Sequence, residues 1–258
     1  HPFALLPSWL QIMHRPWEEQ WHALANPDFR QKLLTEDAIH VGDFEAFVTT
    51  SFDKMYPIDA GYEPRADESI SALATSTGRS CRDVALEHLL AFEGHGQLYF
   101  PLFNYSDGDL DVLFKLHQDK DTLMGLSDAG AHCGAICDGG MPTFMLTHWA
   151  RDRSRGERLP LEWVIHRQTQ QTAHAYGLYD RGEIRPGYRA DLNVIDFDNL
   201  RLQAPRMHWD LPAGGRRLLQ KATGYAATLC AGEVILENDQ YTGALPGRLI
   251  RGRQATPT

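Results

Sequence analysis

The sequence predicts a mixed α/β body followed by a small β module. Residues 97–127 hold an apolar run from Gln97 to Asn104, a helix-like stripe and a second apolar run, an order typical of a strand–helix–strand crossover. Pro101 places the first of these strands at a sheet edge or a strand end, because proline cannot donate a ladder hydrogen bond. Farther along, apolar and polar residues alternate over Ala190–Phe197, which predicts a β-strand.

A β-hairpin is predicted near the end of the chain. Thr228–Cys230 and Val234–Leu236 are strand-like segments, and the turn residues Ala231-Gly232-Glu233 separate them. Together with the alternating strand, this hairpin predicts that the last part of the chain is built from β-structure.

Helix start and stop residues precede this β module. Asn26-Pro27-Asp28 combines a cap residue, a proline at the first helical position and an acid in the first turn. The helix that Pro160 opens is expected to bury a stripe and to end at Gly177; its members are Val164, Ile165, Gln168, Thr172 and Ala173. Other helices are predicted near residues 68–77 and 81–93 and after Pro142.

The second apolar run, Leu123–Asp128, is the most informative segment. Mostly apolar residues lead directly into a lone carboxylate, and a glycine-containing turn follows. A buried parallel strand that ends at a catalytic mouth has this pattern, with Asp128 as its last side chain. An aspartate that caps the next turn is the alternative.

Composition excludes several classes of function. The chain has 258 residues with 25 basic and 34 acidic side chains, a net charge of −9, which argues against binding to nucleic acid or to an anionic membrane surface. No apolar run approaches the roughly 20 residues that span a bilayer. Four cysteines are too few for a disulfide framework, so we expect a reducing, cytoplasmic location.

Other candidate site residues each have a structural alternative. His132 follows Asp128 by four residues and could orient substrate, or could bond only to loop backbone. Asn104 ends an apolar run and is a second candidate for substrate binding. We interpret His148 and Trp149 as core residues of a helix. Cys133 and Cys137 lack the further ligands of a metal site, and no serine lies in a Gly-x-Ser-x-Gly elbow.

Several segments resemble the amidohydrolase superfamily, and most closely its N-acyl-D-amino-acid deacylase (D-aminoacylase) branch. They are Tyr99–Tyr105, Gly125–His132, Leu146–Trp149, Leu159–Glu162, Thr169–Ala173, Arg181–Leu192 and Thr242–Arg248. The resemblance implies a (β/α)₈ barrel with a small β-sandwich domain. It assigns residues 1–182 to the C-terminal portion of the barrel, with an insertion, and residues 183–258 to the C-terminal part of the β domain.

The resemblance also implies a chemistry. Such enzymes hydrolyse amide-like C–N bonds of small molecules such as N-acyl amino acids, and one or two Zn²⁺ ions polarise the carbonyl and activate a water. The aspartate at the end of the last barrel strand contacts metal and water and passes a proton to the leaving nitrogen. That position corresponds to Asp128.

The metal ligands of the family are largely missing from this sequence. Members carry a His-x-His pair, but no two of the twelve histidines here lie two residues apart. A zinc site needs three or four protein ligands, so Asp128 alone cannot form one. We therefore expect the chain to be the C-terminal part of a longer enzyme, with most ligands before His1, and to be inactive alone. A cyclic-amide or dipeptide hydrolase and a non-catalytic degenerate barrel are the alternatives.

Overall fold

The computed structural model describes residues 1–125, 127, 133–136 and 138–257. They form two compact units, His1–Leu110 and Asp111–Thr258. Both contain helices and strands, so the predicted mixed α/β class is confirmed. The predicted family-domain boundary after residue 182 stays a prediction. Within the described residues, no helix combines the length and apolar character that crossing a membrane requires.

The first unit consists mainly of helices. They are α1 (Pro7–Ile12), α2 (Trp17–Ala25), α3 (Pro27–Thr35), α4 (Asp43–Thr50), α5 (Ile70–Thr77) and α6 (Cys81–Gly94). Short 3₁₀ turns occupy Phe52–Lys54, Ile58–Ala60 and Ala66–Glu68. Strand β1 (Tyr56–Pro57) pairs antiparallel with β2 (Leu98–Tyr99). Leu6, Leu33, Ile70 and Ala85 are fully buried in the core that these helices enclose.

Local side-chain hydrogen bonds explain where these helices begin. The Asn26 side chain accepts hydrogen bonds from the backbone N–H groups of Asp28 and Phe29, at 2.9 and 3.2 Å, at the start of α3. Ser80 accepts from the N–H of Asp83 at 3.1 Å at the start of α6. These caps satisfy donors that a helix leaves unpaired at its first turn. The predicted helix starts are therefore confirmed.

The second unit begins with helices that contain π-helical turns. Helix α7 (Asp111–Gln118) is followed by α8 (Met141–Phe144), which continues as a π-helix over Met145–Asp152. Helix α9 (Leu161–His166) continues through a π-helical turn at Arg167–Gln171 into α10 (Thr172–Ala175). The helices predicted after Pro142 and Pro160 are thus confirmed.

Antiparallel strands complete the second unit. They are β3 (Leu192–Ile195), β4 (Arg201–Leu202), β5 (Arg206–Leu211), β6 (Gly215–Leu219), β7 (Ala222–Thr223), β8 (Tyr225–Cys230), β9 (Glu233–Glu237) and β10 (Gln240–Tyr241). One sheet has the order β10-β9-β8-β3, while β4 pairs with β7 and β5 with β6. The hairpin predicted around Ala231-Gly232 is the β8–β9 pair. The parallel barrel strands and the β-sandwich stay predictions.

Two strand predictions upstream need correction. The run from Gln97 to Asn104 forms only β2, which pairs antiparallel with β1 rather than entering a crossover. Within the second run, residues 123–125 and 127 lie in no helix or strand, while Leu126 and Asp128 lie outside the described residues. A strand requires a hydrogen-bonded neighbour, and none of the described sheets pairs with residues 123–125.

Asp191 holds the β8–β9 turn to the start of β3. Its carboxylate accepts a hydrogen bond from the backbone N–H of Ala231 at 2.8 Å, where Ala231 and Gly232 both have positive φ. Arg189 donates to both oxygens of the same carboxylate at 2.9 and 2.8 Å, and Arg181 lies 3.3 Å from it. The Arg-Ala-Asp-Leu segment therefore has a structural role in this turn.

We expect Asp191→Ala to lower the free energy of unfolding by about 1 kcal/mol, because it leaves the N–H of Ala231 without its acceptor and removes the carboxylate partner of Arg189. Asp210→Ala is the matched control, since it removes an exposed partner of Arg217 and should change little. Urea denaturation of both variants checks this, and an equal effect of the two would contradict the role of Asp191.

Candidate functional site

The sequence predicts three site residues, of which the structure describes Asn104. Asp128 and His132 lie outside the described residues. Asn104 is exposed in the first unit and has a φ of +58°. Asparagine is one of the few residues besides glycine that adopt this left-handed conformation readily, so the turn itself explains the residue type. Its role in binding substrate stays a prediction.

The structure anchors the chain on both sides of the predicted catalytic turn. Before it, the Thr122 hydroxyl donates a hydrogen bond to the carbonyl of Leu116 in α7 at 2.6 Å. After it, the carbonyl of Cys133 accepts a hydrogen bond from the N–H of Leu218 in β6 at 2.8 Å. Both anchors belong to the second unit, which therefore holds the two ends of the segment that contains Asp128.

Aromatic side chains of helix α7 pack against Trp149. Trp149 is only 1% exposed, with the ring of Phe114 stacked at 6.3 Å and the ring of His117 edge-on at 5.1 Å. His148 is half-buried and stacks on Phe144 at 4.6 Å. The interpretation of Trp149 as a core residue is confirmed, and the rings around His148 are those of a packed helix.

Two buried arginines, which sequence reasoning missed, lie close to aromatic rings. Arg153 pairs with Asp111 at 2.7 Å, donates to the carbonyl of Glu157 and lies 4.8 Å from the Trp149 ring. Arg167 is 3% exposed and lies 4.9 Å from the ring of Trp163. The sequence did contain an indication of the buried Arg167. It lies three positions after Val164, a predicted member of the buried stripe, and this spacing places both residues on the same face of the helix.

The predicted stripe of this helix is correspondingly wrong in part. Val164 and Ala173 are buried as expected, but Ile165 is 42% exposed and Arg167 takes an inward position. The π-helical turn at Arg167–Gln171 adds a residue per turn and changes which side chains share a face. A regular 3.6-residue period therefore does not describe the buried face.

Burial lowers the pKa of His117. Desolvation lowers the pKa of its imidazole below the ordinary value, and the neighbouring positive charge of Arg167 lowers that pKa further. Both effects favour the neutral form of this imidazole, which lies at the C-terminal end of α7. Its ring packs edge-on against Trp149, and the neutral imidazole loses less hydration in this contact than the charged form would.

Of the two neighbouring cysteines, Cys133 and Cys137, the structure describes Cys133. The Cys133 sulfur accepts a hydrogen bond from the N–H of Ile136 at 3.3 Å, and Cys137 lies outside the described residues. Among the side chains that the structure describes, no group of three or more histidine, cysteine, aspartate or glutamate residues is placed to hold a metal ion. These residues therefore do not by themselves fit a zinc site.

A surface pocket of about 460 Å³ lies elsewhere in the second unit. Glu162, His166 and Glu183 line it, and the Glu183 carboxylate accepts a hydrogen bond from the side chain of Gln170. Asn104 is not among the described residues that line this pocket.

Comparison with known proteins identifies one family. Residues 98–236, more than half of the chain, match the model of the amidohydrolase family. The matched range contains Asn104, Asp128 and His132. No curated protein matches the chain.

Solved D-aminoacylase structures show a weaker likeness. The D-aminoacylase described as defining a novel subset of amidohydrolases is 23% identical over 74% of this chain and 36% of its own, with a TM-score of 0.37. A D-aminoacylase mutant in complex with CuCl₂ is 24% identical over 68% of this chain and 33% of its own, also at 0.37. A third D-aminoacylase structure concerns the functional role of its binuclear metal centre. The chain thus spans about a third of the length of these proteins, and the scores are too low to show a shared fold.

We expect the second unit to lose stability as the pH falls below about 6.5. The unfolded chain binds a proton at His117 near that pH, whereas the folded chain does so only at lower pH, so protons favour unfolding in this window and the stability is fully present above it. His117→Gln should flatten the dependence, and His166→Gln, at an exposed position of α9, should not. Urea unfolding between pH 5 and pH 8 checks this, and the same slope in all three proteins would exclude His117 as the cause.

Proposed function

Because this chain belongs to the amidohydrolase family, we propose that it carries the C-terminal part of a metal-dependent hydrolase of amide C–N bonds other than peptide bonds. The family match over residues 98–236 is the observation that carries this proposal, because it includes the run that ends at Asp128. The D-aminoacylase-like motifs around it favour small N-acyl amino acids, N-acyl-D-amino acids in particular, as substrates. We place the protein in the cytoplasm.

We propose a family architecture for the chain as well. Residues 1–182 are the C-terminal portion of a (β/α)₈ barrel with an insertion, and residues 183–258 are part of the small β domain. The distribution of elements supports this division: the strands from β3 onward follow residue 183, and helices dominate what precedes it. In such barrels the active site lies at the carboxyl ends of the strands, where the Leu123–Asp128 run would present its carboxylate.

Each proposed site residue has a role that its side chain can perform. The Asp128 carboxylate takes a proton at one oxygen from the attacking water and delivers it to the leaving nitrogen. His132 and Asn104 donate or accept hydrogen bonds to the polar groups of the substrate. Zn²⁺ is the proposed metal, and since zinc requires three or four protein ligands, those beyond Asp128 come from outside the described residues.

We expect Asp128→Asn, in the protein expressed from its complete gene, to lower kcat for N-acetyl-D-amino acids by about a thousandfold or more. An amide in place of the carboxylate keeps the size of the side chain but cannot accept the proton. Asp121→Asn is the matched control, because Asp121 is an exposed carboxylate seven residues earlier in the chain. Steady-state kinetics with unchanged circular dichroism check this, and near-normal turnover would remove Asp128 from the mechanism.

We expect the 258-residue chain alone to show no hydrolysis of N-acetyl-D-amino acids when Zn²⁺ is added. The reason is the ligand count, because the described residues supply no metal-holding group. The measurement is amine release by the purified chain with and without Zn²⁺, with the complete protein as positive control. Robust turnover by the chain would show that it holds a full site.

A further inference from the structure

Arg167 is a buried cation whose hydrogen bonds, among the described residues, reach one short stretch of chain. Its Nη2 donates to the carbonyl of His117 at 2.8 Å and to the hydroxyl of Thr122 at 3.0 Å, and the carbonyl of Asp119 lies 3.4 Å from the same nitrogen. These acceptors lie 45 to 50 residues away in the sequence. The side chain therefore joins the π-helical turn after α9 to the end of α7.

The chemistry of these contacts is unlike that of the other buried arginine. Arg153 has the carboxylate of Asp111 as a partner, whereas the acceptors of Arg167 in the described part of the chain carry no formal charge. A buried cation without a carboxylate is costly unless oriented dipoles stabilise it. The C-terminal carbonyls of α7 supply such dipoles, since they form the negative end of the helix.

Thr122 links Arg167 to helix α7 at the point where the chain leaves that helix. Its hydroxyl accepts from Arg167 and donates its one proton to the carbonyl of Leu116, at 2.6 Å, while the carbonyl of Asp119 lies 3.1 Å from the same oxygen. Residues 123–125 follow directly and have no helix or strand hydrogen bonds. The direction in which they leave α7 therefore depends on how Thr122 is held.

We propose that Arg167 is a positioning residue for the candidate catalytic segment: by holding Thr122 and the end of α7, it sets where the chain that leads to Asp128 begins. Asp128 follows Thr122 by six residues. The consequence for turnover rests on the proposed function, whereas the hold on Thr122 does not. A displaced carboxylate slows the chemical step far more than it weakens substrate binding, since about 1 Å of misplacement can cost about a hundredfold in rate.

The test uses the protein expressed from its complete gene and compares matched variants. Arg167→Met keeps the length and apolar stem of the side chain but removes its donors, and Arg167→Lys retains the charge with a single donor centre. Thr122→Val removes the hydroxyl at constant shape, and Thr122→Ser retains it. Arg206→Met, at an exposed position of β5, is the control for loss of an arginine.

Two readouts are measured on every variant. Hydrogen exchange of the backbone amides between Asp119 and Gly125 reports the hold on the turn, and kcat and KM for an N-acetyl-D-amino acid report its catalytic consequence. We expect Arg167→Met and Thr122→Val to exchange faster in this stretch and to lower kcat by about 10- to 100-fold, with KM within about threefold of wild type. Arg167→Lys should be intermediate, and Thr122→Ser and Arg206→Met should behave as wild type.

The outcomes separate this inference from the proposed function. Unchanged exchange in Thr122→Val and Arg167→Met would overturn the role of Arg167, whatever their activity. Faster exchange with unchanged kcat in an active enzyme would overturn its catalytic consequence. If the wild-type protein hydrolyses no amide, the proposed function fails, and exchange alone decides whether Arg167 holds the turn. If Arg167→Met does not fold, the Thr122→Val and Thr122→Ser pair gives the same decision.

Discussion

The burial of two guanidinium groups is the constraint on which the helical part of the second unit depends. Removing an arginine from water costs several kcal/mol unless its donors find acceptors, so the surrounding elements must lie where those acceptors are. Arg153 requires Asp111 at the first residue of α7, and Arg167 requires the carbonyls at the other end of the same helix. Helix α7 is thus held at both ends, and the rings of Phe114, Trp149 and Trp163 cover the two cations.

This arrangement fixes the described residues on both sides of the segment that contains Asp128. The chain enters the segment at Thr122, which is tied to α7, and leaves it at Cys133, which is tied to β6. In the β module, Asp191 joins the β8–β9 turn to the start of β3. Asp191 belongs to the Arg181–Leu192 motif that resembles the family, yet its contacts are structural.

Much of the local structure follows directly from residue types. Asn26, Ser80 and the Ala231-Gly232 turn act on backbone groups within about four residues, so their effect does not depend on the rest of the fold. The strand predicted over Gln97–Asn104 is shortened to β2, and the described residues of the Leu123–Asp128 run lie in no strand, for the opposite reason. An apolar run becomes a strand only if a neighbour pairs with it, and the neighbour is a property of the whole chain.

The sequence by itself therefore determined the helix starts, the hairpin, the mixed α/β class and, through its motifs, the family to which the chain belongs. The sequence also predicts a catalytic role for Asp128, which stays a prediction. Only the tertiary structure decided that Arg153 and Arg167 turn inward, that Ile165 does not, and that Thr122 is the anchor of the segment. The physical reason is distance along the chain. The two arginines bond to residues more than 40 positions away in the sequence, and a local sequence pattern carries no information about such partners.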